Sequence, residues 1–167
     1  PYDDQAALTA FARTICVATY EFENIPVATV EFLNAIVPVR PGAEALACAQ
    51  DRINEKTLAR QLGAETAPFH EVATRADLDV AIEATGVPAV LKTRRFGYDG
   101  KGQAKILSRS DADEAWAAMR GQPSILEGFV TFDREVSVIA ARSLDGAFRA
   151  FEVTENEHRN HILHRSV

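Results

Sequence analysis

Long apolar runs are missing from this sequence. None approaches the ~20 residues of a membrane span, and no signal-peptide pattern is present. Cysteine is scarce. Cys16 and Cys48 sit in apolar surroundings without metal-ligand spacing, so both read as reduced, buried and structural, in a cytosolic, cytoplasmic setting. Basic excess is also missing: 18 Lys and Arg against 24 Asp and Glu leave a net charge of −6, which argues against broad nucleic-acid binding. No internal repeat or low-complexity stretch occurs. No helix opens on Gly-Lys-Ser/Thr, which excludes a P-loop. With 47% apolar and 25% charged residues, the 167 residues suit one ordinary globular domain or two small ones.

Against this acidic background one stretch is basic. Val90 to Gln103 opens as an apolar strand ending on Lys92 and becomes a loop with Gly97, Gly100 and Gly102. Lys92, Arg94, Arg95 and Lys101 crowd around it, and Ala104–Leu107 returns as a strand. Glycines let backbone N–H groups approach oxygen closely, and successive N–H groups form an anion-binding concavity. Lysine adds a mobile point charge and arginine a fork. A second strand follows rather than a helix, so this is not a dinucleotide fingerprint. The loop alone fits a polyphosphate cradle or an exposed, charged β-hairpin equally well.

The rest of the chain alternates helices and strands. Asp3 or Asp4 caps a helix to Arg13; Ile15–Tyr20 reads as a buried strand ending in Glu21-Phe22-Glu23-Asn24. Acids at the carboxyl end of such a strand suit a ligand, or Glu23 and Asn24 cap the helix Pro26–Ala35. A short strand Val37–Val39 and a helix Ala43–Ala49 follow. Asp51 caps a helix to Leu62 that carries Arg52 in its first turn. The dipole disfavours a cation there, so Arg52 answers either an anion or Glu55. Phe69–Val72 is a strand, Thr74 caps a helix to Thr85, and Ser110 caps a helix Asp111–Arg120 with Asp113 completing the capping box. Trp116 packs inward. Ser124–Leu126 is a short strand, Arg134–Arg142 alternates as another, Asp145-Gly146 makes a hairpin turn, and Phe148–Val153 is its partner. His158, His161 and His164 recur every third residue, which on a helix would suggest zinc, but the surrounding strand pattern speaks against a helix.

The order of these motifs resembles the ATP-grasp superfamily. It has a helix opening Asp51-Arg52, a strand ending on Lys92, the loop Gly97–Gln103, then Glu127-Gly128-Phe129-Val130 and Arg134-Glu135-Val136-Ser137-Val138. Within it, Thr19–Asn24, the Gly97–Gln103 loop, and His158 with Ile162-Leu163 resemble the 5-(carboxyamino)imidazole ribonucleotide synthase family. Formate- and biotin-using relatives carry other residues at Tyr98-Asp99. The resemblance spans Ala7 to Val167.

The resemblance implies an α/β (α+β ATP-grasp) fold. Residues 1–50 would be part of a parallel-sheet domain, 51–127 the small lobe with the phosphate loop, and 128–167 the start of the larger lobe. It implies a ligase of purine biosynthesis, homodimeric in the family, using ATP, Mg²⁺, bicarbonate and 5-aminoimidazole ribonucleotide. Alternatives are a formate- or biotin-using ligase or a non-catalytic nucleotide-binding module. Carried over by position, Arg52 and Lys92 hold phosphates. Gly97, Tyr98, Asp99, Gly100, Lys101, Gly102 and Gln103 form the lid, and Lys92 and Lys101 are the catalytic cations. Glu127, Gly128, Phe129 and Val130 read adenine, Glu135 takes the ribose, His158 reaches the nucleotide, and Glu21 and Glu23 face the imidazole nucleotide. Both ends of the sequence read as cut. The acidic pair that holds Mg²⁺ in the family is expected outside this chain, so no metal ligand is assigned to Asp99, Glu127, Glu135 or Glu155. The 167 residues alone are expected to bind nucleotide weakly and not to turn over.

Overall fold

The computed structural model describes residues 1–97, 102–159 and 162–167. The first 49 residues form three helices, α1 (Gln5–Ala12), α2 (Val27–Asn34) and α3 (Ala43–Ala49), around a core of Ala12, Val30, Leu33, Val39 and Leu46. Asp4 caps α1 by accepting from Ala7 N at 2.9 Å. The strands expected at Ile15–Tyr20 and Val37–Val39 reduce to one parallel bridge, Ala18 to Val39. A bridge needs neighbouring strands to grow into a ladder, and β-branched composition does not supply them. Pro26 is the N-cap of α2 and no side chain caps it, so Glu23 and Asn24 do not have the capping role. Cys16 is exposed and Cys48 half-buried, contrary to the expectation that both are buried.

Helix α4 (Arg52–Gln61) leads to the central sheet, whose strands are β1 (Phe69–Val72), β2 (Ala89–Thr93), β3 (Gln103–Ile106) and β4 (Ser124–Gly128). Their order is β1-β4-β2-β3, antiparallel throughout. Helices α5 (Arg75–Thr85) and α6 (Ala112–Met119) pack on one face. There Leu78, Leu91, Ile106, Met119 and Leu126 make a core, each at most 2% exposed, with Trp116 partly buried against it. Alternation along the strands sends the other residues to the opposite face. The register sets Val90 beside Glu127 and Lys105, and Lys92 beside Ile125 and Gln103. Lys92, Gln103, Lys105 and Glu127 therefore share one face of the sheet.

The start of α6 differs from expectation. Ser108, not Ser110, forms the capping box, with Asp111, and a turn of 3₁₀-helix Arg109–Asp111 precedes α6. Asp113 is drawn away to Arg75 at 2.7 Å.

Beyond β4 the chain is all β. Strands β5 (Glu135–Ser137), β8 (Thr154–Arg159) and β9 (Ile162–Ser166) form one antiparallel sheet, and β6 (Ala140–Arg142) pairs with β7 (Phe148–Ala150). The single strand expected at Arg134–Arg142 thus breaks in two, because its halves pair with different partners. His158 lies in β8 and His164 in β9, so these two do not share a helix, as the sequence argued. Among the described residues none of this β region is buried, and no helix is long and apolar enough to cross a membrane.

Candidate functional site

A cavity of about 410 Å³ opens on the sheet face that carries Lys92. Lys92 and Gln103 line one side, Glu127, Gly128, Phe129 and Val130 another, and Phe132 closes an end. The hairpin β2–β3 brings Lys92 against Gln103, and β4 lies antiparallel on β2's other edge, so residues distant in sequence converge here. Lys105, not singled out from the sequence, also lines this cavity, with its Nζ 5.5 Å from the Phe129 ring centroid. Phe132 also borders a second cavity of about 690 Å³ that holds Glu135 and His158. His158 Nε2 lies 3.4 Å from Glu135 Oε1, and Asn156 Nδ2 donates to the same oxygen at 3.2 Å.

Glu127 is 7% exposed and is held by two lysines. Lys92 Nζ lies 3.0 Å and Lys56 Nζ 3.3 Å from its Oε2. Lys56 comes from α4 and was missed from the sequence. The signal was present as Arg52, Lys56 and Arg60, spaced by four along one helix face. Arg60 stacks on Phe69 at 4.1 Å and donates to Thr66 Oγ1 at 2.8 Å. Arg52 donates to the carbonyls of Thr93 at 3.4 Å and Gly97 at 3.3 Å, so its partner here is neither an anion nor Glu55. It brackets Phe96, whose φ of 62° is costly for a bulky residue.

Two of the four clustered cations turn away from the cavity. Arg94 makes a fork on Asp51, with Nε to Oδ1 at 3.1 Å and Nη2 to Oδ2 at 2.7 Å, and also pairs with Glu71. Arg95 donates to Gln50 Oε1 at 2.5 Å. The buried Gln50 amide in turn donates to the carbonyls of Glu23 at 2.6 Å and Ile25 at 2.5 Å. The root of the glycine loop is thereby tied to the segment bearing Glu21 and Glu23, whose side chains are exposed. Tyr98, Asp99, Gly100, Lys101 and His161 lie outside the described residues.

Burial alone would raise the Asp51 carboxyl. Hydrogen bonds and charge from Arg94, with the N–H groups of Ile53 and Asn54, outweigh this and hold it below the usual carboxylate range. A depressed carboxylate stabilises the fold above its unfolded value of about 4 and loses that contribution as pH falls through the folded value. Asp51→Asn keeps a good helix cap and loses the charge. The urea midpoint of this variant should lie well below that of the parent at pH 6, with the gap closing below about pH 4. A gap constant from pH 6 to pH 3 would contradict the assignment.

Gly102 closes the hairpin: its carbonyl accepts from Thr93 N at 2.8 Å, and its φ is +68°. A Cβ there would stand 2.7 Å from Thr93 Oγ1. Gly102→Ala therefore meets both an unfavourable φ and a clash with a buried threonine. The expected loss is about 2 kcal/mol in urea unfolding, together with faster amide exchange at Thr93. Unchanged stability and exchange would refute the tight closure.

At the other side of the cavity the backbone is partly committed. Gly128 N donates to Pro68 O at 2.9 Å and Phe129 N to Pro88 O at 3.1 Å. Among the described residues Val130 N has no backbone partner. No group of three His, Cys, Asp or Glu side chains comes together among the described residues. Glu127 is taken by lysines, Glu135 by His158 and Asn156, and Glu155 pairs with Arg134 at 3.7 Å. These acids do not fit a Mg²⁺ site.

The cavity thus lies between Lys92 at the root of the glycine hairpin and the carboxyl end of β4. Residues 57–167 match the ATP-grasp domain family and residues 1–50 the ribonucleotide synthetase preATP-grasp domain. The chain belongs to the ATP-grasp family. It is 46% identical, over 99% of its length, to N5-carboxyaminoimidazole ribonucleotide synthase of Pseudomonas aeruginosa, and covers 46% of that relative. Among solved structures it is similar to an N5-carboxyaminoimidazole ribonucleotide synthetase in complex with ADP, with TM-score 0.93 and 40% identity over 99% of this chain and 44% of that one. It is also similar to the Staphylococcus aureus N5-carboxyaminoimidazole synthetase complexed with ADP, with TM-score 0.92 and 36% identity over 98% of this chain and 44% of that one. The chain thus spans less than half the length of these relatives.

Proposed function

We propose that this chain is the ATP-holding part of a ligase that carboxylates 5-aminoimidazole ribonucleotide, working in the cytoplasm in purine biosynthesis. In this reaction a bicarbonate oxygen attacks the γ-phosphorus of ATP and ADP leaves. The exocyclic amine then attacks the carbonyl carbon of carboxyphosphate, phosphate leaves, and the amine proton is lost. The observation that carries the reading is the cavity between Lys92–Gln103 and Glu127–Val130, together with relatives of that name at 46% identity.

Within this reading the chain's own groups position and neutralise. Lys92 supplies positive charge to the phosphates. Val130 N–H meets the purine edge, and the Glu135 carboxylate accepts from ribose hydroxyls. Gln50 and Arg95 join the loop's root to the Glu21–Glu23 segment, which faces the second substrate. Mg²⁺ would supply further positive charge at the phosphates, and no described acid of this chain is assigned to hold it.

The test is ADP release from ATP in a chimera where this chain replaces the matching residues of the Pseudomonas relative. Release stimulated jointly by bicarbonate and 5-aminoimidazole ribonucleotide is expected, with none from the 167 residues alone. Stimulation by formate or by biotin instead would name another ATP-grasp ligase. Nucleotide binding without turnover in the chimera would reduce the chain to a binding module.

A further inference from the structure

Glu127 is a buried carboxylate with more cation than it needs. Its Oε2 is shared by Lys92 at 3.0 Å and Lys56 at 3.3 Å. Lys92 belongs to the sheet and lines the cavity; Lys56 stands on α4 and does not. The two ammonium groups therefore have different freedom. Lys92 can turn into the cavity toward a ligand, whereas the Lys56 ammonium lies over Phe69, 6.0 Å from the ring centroid. A single lysine serving Glu127 could not leave without abandoning a buried charge, and an unpaired buried carboxylate is costly.

We propose that Lys56 is a positioning residue: it keeps Glu127 compensated while Lys92 turns to a phosphate, and so releases Lys92 for the ligand. The use of that release rests on the nucleotide reading above, but the sharing of Glu127 does not. With both lysines present, each holds only part of one carboxylate oxygen. Remove Lys56, and among the described residues Lys92 becomes the one counterion and is locked in place. Remove the Glu127 charge as well, and the lock disappears.

The experiment is acylation of the 167-residue chain by an N-hydroxysuccinimide ester, without nucleotide, read per lysine by mass spectrometry. An amine held by a full ion pair reacts more slowly than one sharing its partner. Lys56→Met should slow acylation of Lys92 about fivefold relative to the exposed Lys105. Glu127→Gln should speed it, and the double variant should react as fast as Glu127→Gln alone. Lys56→Arg should restore the parent rate. An unchanged or faster Lys92 in Lys56→Met, with Lys105 unaltered, would overturn the proposal. If Lys56→Met unfolds, so that all lysines react together, Lys56→Arg against Glu127→Gln still decides it: equal Lys92 rates in those two would be a refutation.

A second arm uses the chimera and adds AMP-PNP with Mg²⁺. Lys92 should be protected in the parent, and Lys56→Met should need about tenfold more nucleotide for the same protection. Equal nucleotide requirements would overturn the release role. Absence of protection in the parent would count against this chain's nucleotide site and against the release role. The nucleotide-free pattern would then still decide the sharing of Glu127.

Discussion

Lys92→Met in the chimera should weaken binding of a non-hydrolysable ATP analogue by about 30- to 150-fold, or about 2–3 kcal/mol, the worth of a charge-assisted hydrogen bond. The physical ground is its place at the end of β2, beside Gln103 and within the cavity that also meets Val130. Thermal stability should change little, because Lys56 remains 3.3 Å from Glu127 and leaves no unpaired buried charge. The pairing of the two results is the informative part. A structural lysine would lower the melting temperature and spare the ligand; a phosphate lysine does the reverse. Isothermal titration beside a thermal melt measures both. Affinity within twofold of the parent would remove Lys92 from the site.

The second large effect is on folding. Arg94→Met leaves Asp51 deprived of its fork and Glu71 without this cation. Asp51 is 9% exposed, so little water can replace the lost partner. Truncating one side of such a pair costs about 3 kcal/mol. In a chain of this size that is roughly a 10 °C fall in melting temperature. Asp51 also caps α4 through Ile53 N at 3.0 Å. The damage should therefore show as fraying of α4, which carries Lys56. Arg94→Lys should recover only part of the loss, since an ammonium cannot make the two-pronged contact. A melting temperature within 2–3 °C of the parent, on the same scale, would mean that the fork is ornamental.

Much of the fold was legible because local chemistry and tertiary packing agree. Phe69–Val72 follows the connector ending at Pro68 and is a strand over those residues. Thr74 caps α5 with Asp77, and Gly86 ends it at a φ of 82° that glycine tolerates. Where local signals were degenerate, tertiary contacts chose. Ser108-x-x-Asp111 and Ser110-x-x-Asp113 offer nearly the same capping box, and only Arg75 on another helix decides by claiming Asp113.

The site was legible in outline and not in detail, for the same reason. The cluster of Lys92, Arg94, Arg95 and Lys101 fits a polyphosphate cradle or an exposed charged hairpin equally well in sequence. Acceptors from distant segments, Asp51, Glu71 and Gln50, take the two arginines, and no local pattern announces that. Glu127 sits on the sheet face shared with Lys92 because of strand register, a non-local property. Lys56 was readable as part of an i, i+4 basic stripe, but its partner was not. Gln50 gave no signal at all: a glutamine at a helix end looks like solvent-facing polarity until its three hydrogen bonds are seen.

The central claim is that the purine rests against Glu127–Val130 while the phosphates lie beside Lys92. Its most direct test is a crystal structure of the chimera with AMP-PNP and Mg²⁺. The account predicts the base edge on Val130 N–H and a phosphate oxygen within hydrogen-bond distance of Lys92 Nζ. A nucleotide bound elsewhere, with Lys92 still on Glu127 and the cavity filled only by water, would contradict it.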